Sequence, residues 1–243
     1  MTEHYLSQLP QFFLTPAGDC PYLPGKEERK VFARLIGPHA DKLNDALTHS
    51  GFRRSQMMAY RPACDGCSAC VSVRIVADEF SASRTMRRIE KRNFDLVRTV
   101  LPAEATREQF ALLQAYLSDR HSGGGMSNMG LFDYVAMVEE TPVDTHIVEY
   151  RLPGVGCDEN RLVACTLTDK LQDGLSMVYS FFDPEMADRS LGTHMILDHL
   201  HSANAHALPH VYLGYWVQGS EKMDYKIRFR PIEALNSTGW TRM

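Results

Sequence analysis

An α/β fold is what the sequence predicts, on three observations: three closely spaced β-like runs in the second half, an amphipathic helical run directly after them, and a further strand beyond that helix. The strands cover residues 146–152, 162–168 and 175–182, rich in Val, Thr, Tyr and Phe and separated by the turn pairs Pro153-Gly154 and Asp173-Gly174. Residues 188–205 then carry Leu191, Met195, Ile196, Leu200 and Ala203 at helical spacing. Residues 210–217 read as the next strand, and a short helix is expected from Ser220. The order β-β-β-α-β-α places a crossover helix after the third strand.

Upstream, residues 83–93 read as a short helix with Ser83 as N-cap and Arg84, Arg87, Arg88 and Lys91 at i, i+3, i+4 and i+7, so four cations share one face. Residues 94–100 read as a strand ended by Pro102. A helix over 103–121 follows, with Phe110, Leu113 and Leu117 inward and the glycines 123–125 as its stop. The expected division is a basic, cysteine-containing N-terminal region, residues 1–100, and a sheet domain, residues 101–243.

The composition, 243 residues with 44% hydrophobic and 23% charged, excludes a disordered, collagenous or disulfide-scaffold chain. The net charge of -4 excludes a global field that would attract polyanions. The charge is polarised, however. Residues 53–98 hold ten basic against five acidic residues, leaving -9 on the remainder. No apolar run approaches the roughly 20 residues of a spanning helix, and residues 1–11 lack a basic stretch ahead of an apolar one. A cytoplasmic protein with no membrane and no DNA partner is expected.

Cys64, Cys67 and Cys70 lie at two-residue separations in a segment whose turn chemistry comes from Pro62 and Asp65-Gly66, and Cys20 lies upstream. In a reducing compartment that spacing reads as metal-binding or redox-active, or as reduced thiols packing a small subdomain. Cys157 and Cys165 read as ordinary single thiols.

Two further constellations carry chemistry. Asp183-Pro184 and then Arg189-Ser190-Leu191-Gly192-Thr193 lead a strand into a helix, where backbone N–H groups suit a phosphate or a developing oxyanion. This run resembles the loop of coenzyme A-dependent N-acetyltransferases (the GNAT superfamily) at Arg189 and Gly192. His194 stands where that loop has a small residue. The second constellation runs from Tyr212 through Tyr215 and Trp216 to Lys222, Lys226, Arg228 and Arg230. It is either a stacking surface with cations for a nucleotide end or core aromatics beside a basic helix end.

These segments occur together in one order: Cys20-Pro21-Tyr22-Leu23-Pro24-Gly25, residues 60–75, Arg120-His121 with Gly124-Gly125-Met126, residues 179–184, residues 189–193 and residues 212–231. In that order the chain resembles, over nearly its whole length, the arginyl-tRNA-protein transferase family, bacterial leucyltransferases and eukaryotic arginyltransferases alike. The resemblance implies a GNAT-like acyltransferase sheet with crossover helices behind a cysteine-containing N-terminal subdomain. It implies transfer of leucine from leucyl-tRNA to proteins with N-terminal Asp or Glu, marking them for degradation. The competing expectation is a coenzyme A-dependent N-acyltransferase. Eukaryotic relatives have a Cys-x-x-Cys pair where this chain has Cys20 and Leu23. Cys20, Cys64, Cys67 and Cys70 still offer four soft ligands for Zn or an iron-sulfur cluster.

An aminoacyl ester is already activated, so no cofactor is required. The enzyme must recognise an acidic side chain, align the acceptor amine with the ester carbonyl and stabilise the oxyanion. The candidate catalytic residues are Asp183, to orient or deprotonate the amine, with Tyr179 and Arg189. Candidate substrate contacts are Arg61, Arg74 and Arg189 for the carboxylate, since arginine pairs bidentately. Tyr179, Phe181 and Trp216 are candidate walls for leucine, with Lys222 near the nucleotide end. Arg84, Arg87, Arg88 and Lys91 offer phosphate contacts to tRNA.

Overall fold

The computed structural model describes residues 10–120, 129–154, 160–220 and 223–243. Its N-terminal part comprises β1 (Phe12–Leu14), β2 (Gly18–Asp19), β3 (Glu27–Glu28), β4 (Lys30–Arg34), α1 (Ala40–His49), β5 (Arg53–Ser55) and β6 (Met58–Pro62). Antiparallel pairing gives a four-stranded sheet in the order β1-β4-β6-β5, while β2 and β3 form a separate ribbon. Ala33, Leu35, Leu47, Phe52 and Ala59 make its small core.

The chain continues through β7 (Cys70–Val76), α2 (Arg84–Arg92), β8 (Val97–Pro102), α3 (Arg107–Arg120), α4 (Leu131–Glu139), β9 (Thr145–Leu152), β10 (Arg161–Lys170) and β11 (Gly174–Phe182). A 3₁₀ turn (Pro184–Arg189), α5 (Leu191–Ala205), β12 (His210–Val217), a 3₁₀ turn (Lys226–Arg228), β13 (Ile232–Asn236) and β14 (Gly239–Arg242) complete it. One eight-stranded mixed sheet runs β14-β13-β7-β12-β11-β10-β9-β8. Its β11–β12 pair is parallel, and α5 makes the crossover between them. Gly174 opens that pair because a Cβ there would lie 2.5 Å from His210 O.

The pleat divides the side chains between two layers. On one face, Val73, Ile75, Val148 and Leu213 pack beneath Leu191, Met195 and Leu200 of α5 and Met86 of α2. On the other, Ile147, Leu167 and Phe181 pack beneath Leu113 and Leu117 of α3 and Tyr134 of α4. The central β10 is buried over eight consecutive residues, Thr166, Thr168 and Asp169 among them, because layers cover both faces of the sheet there. No helix among the described residues is long and apolar enough to cross a membrane.

Several expectations shift. Residue 100 does not mark a change of layer, because β7 and β8 are strands of the large sheet and α2 packs on its core. The helix expected from residue 188 begins at Leu191. Asp183 instead caps the 3₁₀ turn, and Ser190, at φ 53°, adopts a left-handed conformation that separates the turn from α5. The helix expected after Ser220 is reduced, within the described residues, to the turn Lys226–Arg228. The strands β13 and β14 carry no pattern that the sequence reading used, since β13 is held by pairing with β7, far upstream in the chain.

Candidate active site

The parallel β11–β12 pair lasts for only three positions, Gly174↔His210, Leu175↔Val211 and Ser176↔Tyr212. Beyond them β11 stays with β10 as far as Phe182, and β12 stays with β7 as far as Val217. The two strands therefore part, leaving backbone carbonyls along the gap without ladder partners. Two cations supply those partners. Arg53, from β5 of the N-terminal sheet, donates from Nη2 to Met177 O at 3.2 Å and to Val178 O on β11. Lys226 donates from Nζ to Leu213 O at 2.8 Å and Tyr215 O at 2.6 Å on β12. Gly214, at φ 70°, is where a Cβ would fall on the Arg53 guanidinium.

Burial, with the Arg53 charge second, lowers Lys226 to about 7. Around the gap, burial raises the phenols of Tyr179, Tyr215 and Tyr225, against the opposing charge of Arg53, so they stay protonated donors at neutral pH. The lysine has a measurable consequence. Its folded pKa lies below its unfolded value of 10.5, so above pH 7 the unfolded chain binds the extra proton and stability rises with pH. Urea unfolding is expected to gain about 1 kcal/mol between pH 7 and pH 8. Cys70, raised to about 11, opposes this only from about pH 9. In Lys226→Met that gain should vanish; an equal gain in the variant would mean that another group titrates.

The residues singled out by sequence are dispersed. Asp183 accepts from Glu185 N at 2.9 Å through Oδ1 and pairs with Arg161 through Oδ2, so both oxygens are engaged in capping and pairing rather than free to take a proton. It lines, with Leu112, Ala115, Arg161 and Pro184, an open groove of 370 Å³ against α3. Arg189 forms a bidentate pair with Asp95, at 2.7 and 2.9 Å, which holds that carboxyl low. Arg74 donates to Glu233 at 2.8 Å and Tyr212 OH at 3.0 Å and lies 4.5 Å over the Trp240 ring. These two guanidiniums already hold carboxylates.

Arg61 holds none. It lies over Phe52 at 5.2 Å and donates to Ser50 O. Phe181, at 2% exposure, is core beneath Tyr134 and is not open to a ligand. Trp216 packs with the α5 layer and Tyr179 with the α3 layer, so they wall opposite faces of the sheet rather than one slot. Lys222, His121, the glycines 123–125 and Cys157 lie outside the described residues.

Arg84, Arg87, Arg88 and Lys91 are all exposed on α2, whose N-cap Ser83 accepts from Met86 N at 3.3 Å. The C-terminal end of α2 docks on the turn that follows β11, where Asn93 donates to Arg189 O at 2.9 Å. Arg53 and Lys226 are what sequence reasoning missed. Arg53 counted only toward the basic surplus, and Lys226 read as one of a run of cations, whereas it is 4% exposed.

Cys20, Cys64 and Cys67 lie near enough to Cys70 that their charges add to burial in raising it to about 11. Cys64 Sγ accepts from Arg29 N at 3.4 Å and donates to Arg29 O. Among the described residues no three Cys, His, Asp or Glu side chains form a group able to hold a metal. No step of the chemistry below runs through these thiols.

Comparison with known proteins accounts for most of the chain. The family model described as arginine-tRNA-protein transferase, N terminus, matches residues 18–88, and the C-terminus model of the same family matches residues 108–236. A Mesorhizobium japonicum protein named aspartate/glutamate leucyltransferase is 57% identical over 247 residues, covering 100% of this chain and 97% of that one. One of the same name from Allorhizobium ampelinum is 59% identical over 236 residues, covering 96% and 93%. A solved structure of L-PGS from Bacillus licheniformis aligns at TM-score 0.48 and 11% identity, covering 85% of this chain and 68% of that one. With both halves matched by one family, and with relatives more than half identical from end to end, the chain belongs to the arginine-tRNA-protein transferase family.

Proposed function

We propose that this chain transfers leucine from leucyl-tRNA to the α-amino group of proteins that begin with Asp or Glu, marking them for degradation. The observation that carries this reading is identity of 57–59% along essentially the whole chain to relatives named aspartate/glutamate leucyltransferase. The reaction belongs to the cytoplasm, where charged tRNA is found. In the same reading the sheet is GNAT-like. A parallel pair joined by a crossover helix parts after three positions, and the reacting groups meet in the gap.

The acceptor amine attacks the ester carbonyl of leucyl-tRNA, an amide bond forms, the ester C–O bond breaks, and the amine's proton leaves with the terminal ribose oxygen. An α-amine with a reference pKa of about 7.7–8.0 is substantially neutral near physiological pH, so the protein's task is alignment and charge stabilisation. Tyr179, protonated at the rim of the gap, is positioned to donate to the developing oxyanion. The exposed cations of α2 hold the phosphates of the tRNA.

A coenzyme A donor is disfavoured by the first turn of α5. There the His194 ring packs against Tyr150, centroids 5.6 Å apart, where a pyrophosphate loop needs a small residue, and Arg189 is tied to Asp95. The deciding experiment offers labelled leucyl-tRNA and arginyl-tRNA in parallel to peptides beginning with Asp, Glu, Lys and Ala. Label is expected to pass from leucyl-tRNA to the Asp and Glu peptides. Arginine transfer alone would overturn the donor, and transfer from an acyl coenzyme A with neither tRNA active would overturn the class.

A further inference from the structure

Among the more buried arginines, Arg53 is unusual in having no anion. Arg54, Arg74, Arg151 and Arg189 each hold at least one carboxylate. Arg53 hydrogen-bonds two carbonyls on β11, and Lys226 hydrogen-bonds two on β12 and lies 6.0 Å from the Tyr225 ring centroid; neither pairs with a carboxylate among the described residues. A guanidinium held in the strand gap without a counter-ion, beside a lysine that an arriving anion would favour in its charged form, makes a site that lacks an anion.

The surroundings are suited to a small anion. Tyr225 lies within electrostatic reach of Arg53, and its hydroxyl makes no hydrogen bond among the described residues. By contrast Tyr215 already donates to Gly51 O and Tyr60 O, both at 2.9 Å, and so closes the floor. A planar guanidinium with no carboxylate of its own among the described residues matches an incoming carboxylate. The exposed face of α2, not this half-buried gap, suits the phosphates of a large RNA.

We infer that Arg53 is the seat for the side-chain carboxylate of the acceptor's N-terminal Asp or Glu, with Lys226 as the positioning residue that holds the β12 edge of the gap and reinforces its charge. This rests on the proposed leucine transfer and assigns its acceptor specificity. Lys226, almost wholly buried, does not touch the acceptor. Its two bonds keep the Leu213 and Tyr215 carbonyls from facing the incoming carboxylate unneutralised.

The test uses the full chain with saturating leucyl-tRNA and peptides beginning with Asp, Glu, Asn and Gln. In Arg53→Gln, kcat/KM for the Asp peptide is expected to fall about 10- to 100-fold, the preference for Asp over Asn to fall toward one, and KM for leucyl-tRNA to stay unchanged. Arg53→Lys should recover part of the preference. In Lys226→Met, KM for the Asp peptide should rise more than kcat falls, again with KM for leucyl-tRNA unchanged. A preference intact in Arg53→Gln overturns the assignment, and a raised KM for leucyl-tRNA with that preference intact gives the cation to the tRNA. Should Lys226→Met fail to fold, the Arg53 variants alone decide. Wild-type protein that transfers nothing to the Asp peptide overturns the functional reading as well, which separates the two failures.

Discussion

Replacing Asp169 by Ala is expected to destabilise the protein by about 3–5 kcal/mol, the cost of leaving a buried charge without its partner. Arg54 on β5 donates from Nε to Asp169 Oδ2 at 2.6 Å and from Nη2 to Asp169 Oδ1 at 2.7 Å, and both side chains are 1% exposed. Thr145 donates to the same carboxylate at 2.8 Å, and the third guanidinium nitrogen donates to Gln56 O. The pair pins the N-terminal sheet to the end of β10, one residue along from Arg53 in the gap. Denaturant unfolding checks the loss. Arg54→Met combined with Asp169→Leu should cost far less than either single removal, because the double change leaves no buried charge unpaired. A loss below about 1 kcal/mol in Asp169→Ala would show that water reaches the pair. The same substitution should lower leucine transfer, since loosening β5 displaces Arg53.

The second large effect concerns tRNA. Replacing Arg84, Arg87, Arg88 and Lys91 together by Ala is expected to lower the slope of log affinity against log salt by about 3, each lost phosphate contact removing roughly 0.7–0.9. All four side chains are exposed and none pairs with a carboxylate among the described residues. Alanine keeps the helix, and the Ser83 cap is untouched, so circular dichroism should be unchanged and the effect can be assigned to charge. Filter binding at several salt concentrations measures it. Unchanged affinity and slope would leave this face merely solvated.

What sequence conveyed was local. The cap at Ser83 and the four-cation face of α2 follow from spacing alone, and so do the strands of the sheet from Thr145 to Val217, because periodicity of 3.6 or 2 is set by residues a few positions apart. The ordered motifs also sufficed to bring out the family. Element ends moved where a single side chain intervened, as at Asp183, whose cap converts the expected start of α5 into a separate turn.

The site residues were less legible, for a physical reason. Whether an arginine can receive a substrate carboxylate depends on whether a carboxylate of the protein already occupies it, and those partners are remote in sequence. Arg74 meets Glu233 across 159 positions, and Arg189 meets Asp95 across 94. Arg53 reaches β11 across 124 positions and, unlike those two, holds no acid among the described residues. By itself the amino-acid sequence determined α2, the strands and helix from Thr145 to Val217, the basic face and the family. Only the tertiary structure decided which cations are neutralised and that Arg53, without a carboxylate among the described residues, sits beside Lys226 where β11 and β12 part, because long-range packing brings charges together while local periodicity says nothing of their partners.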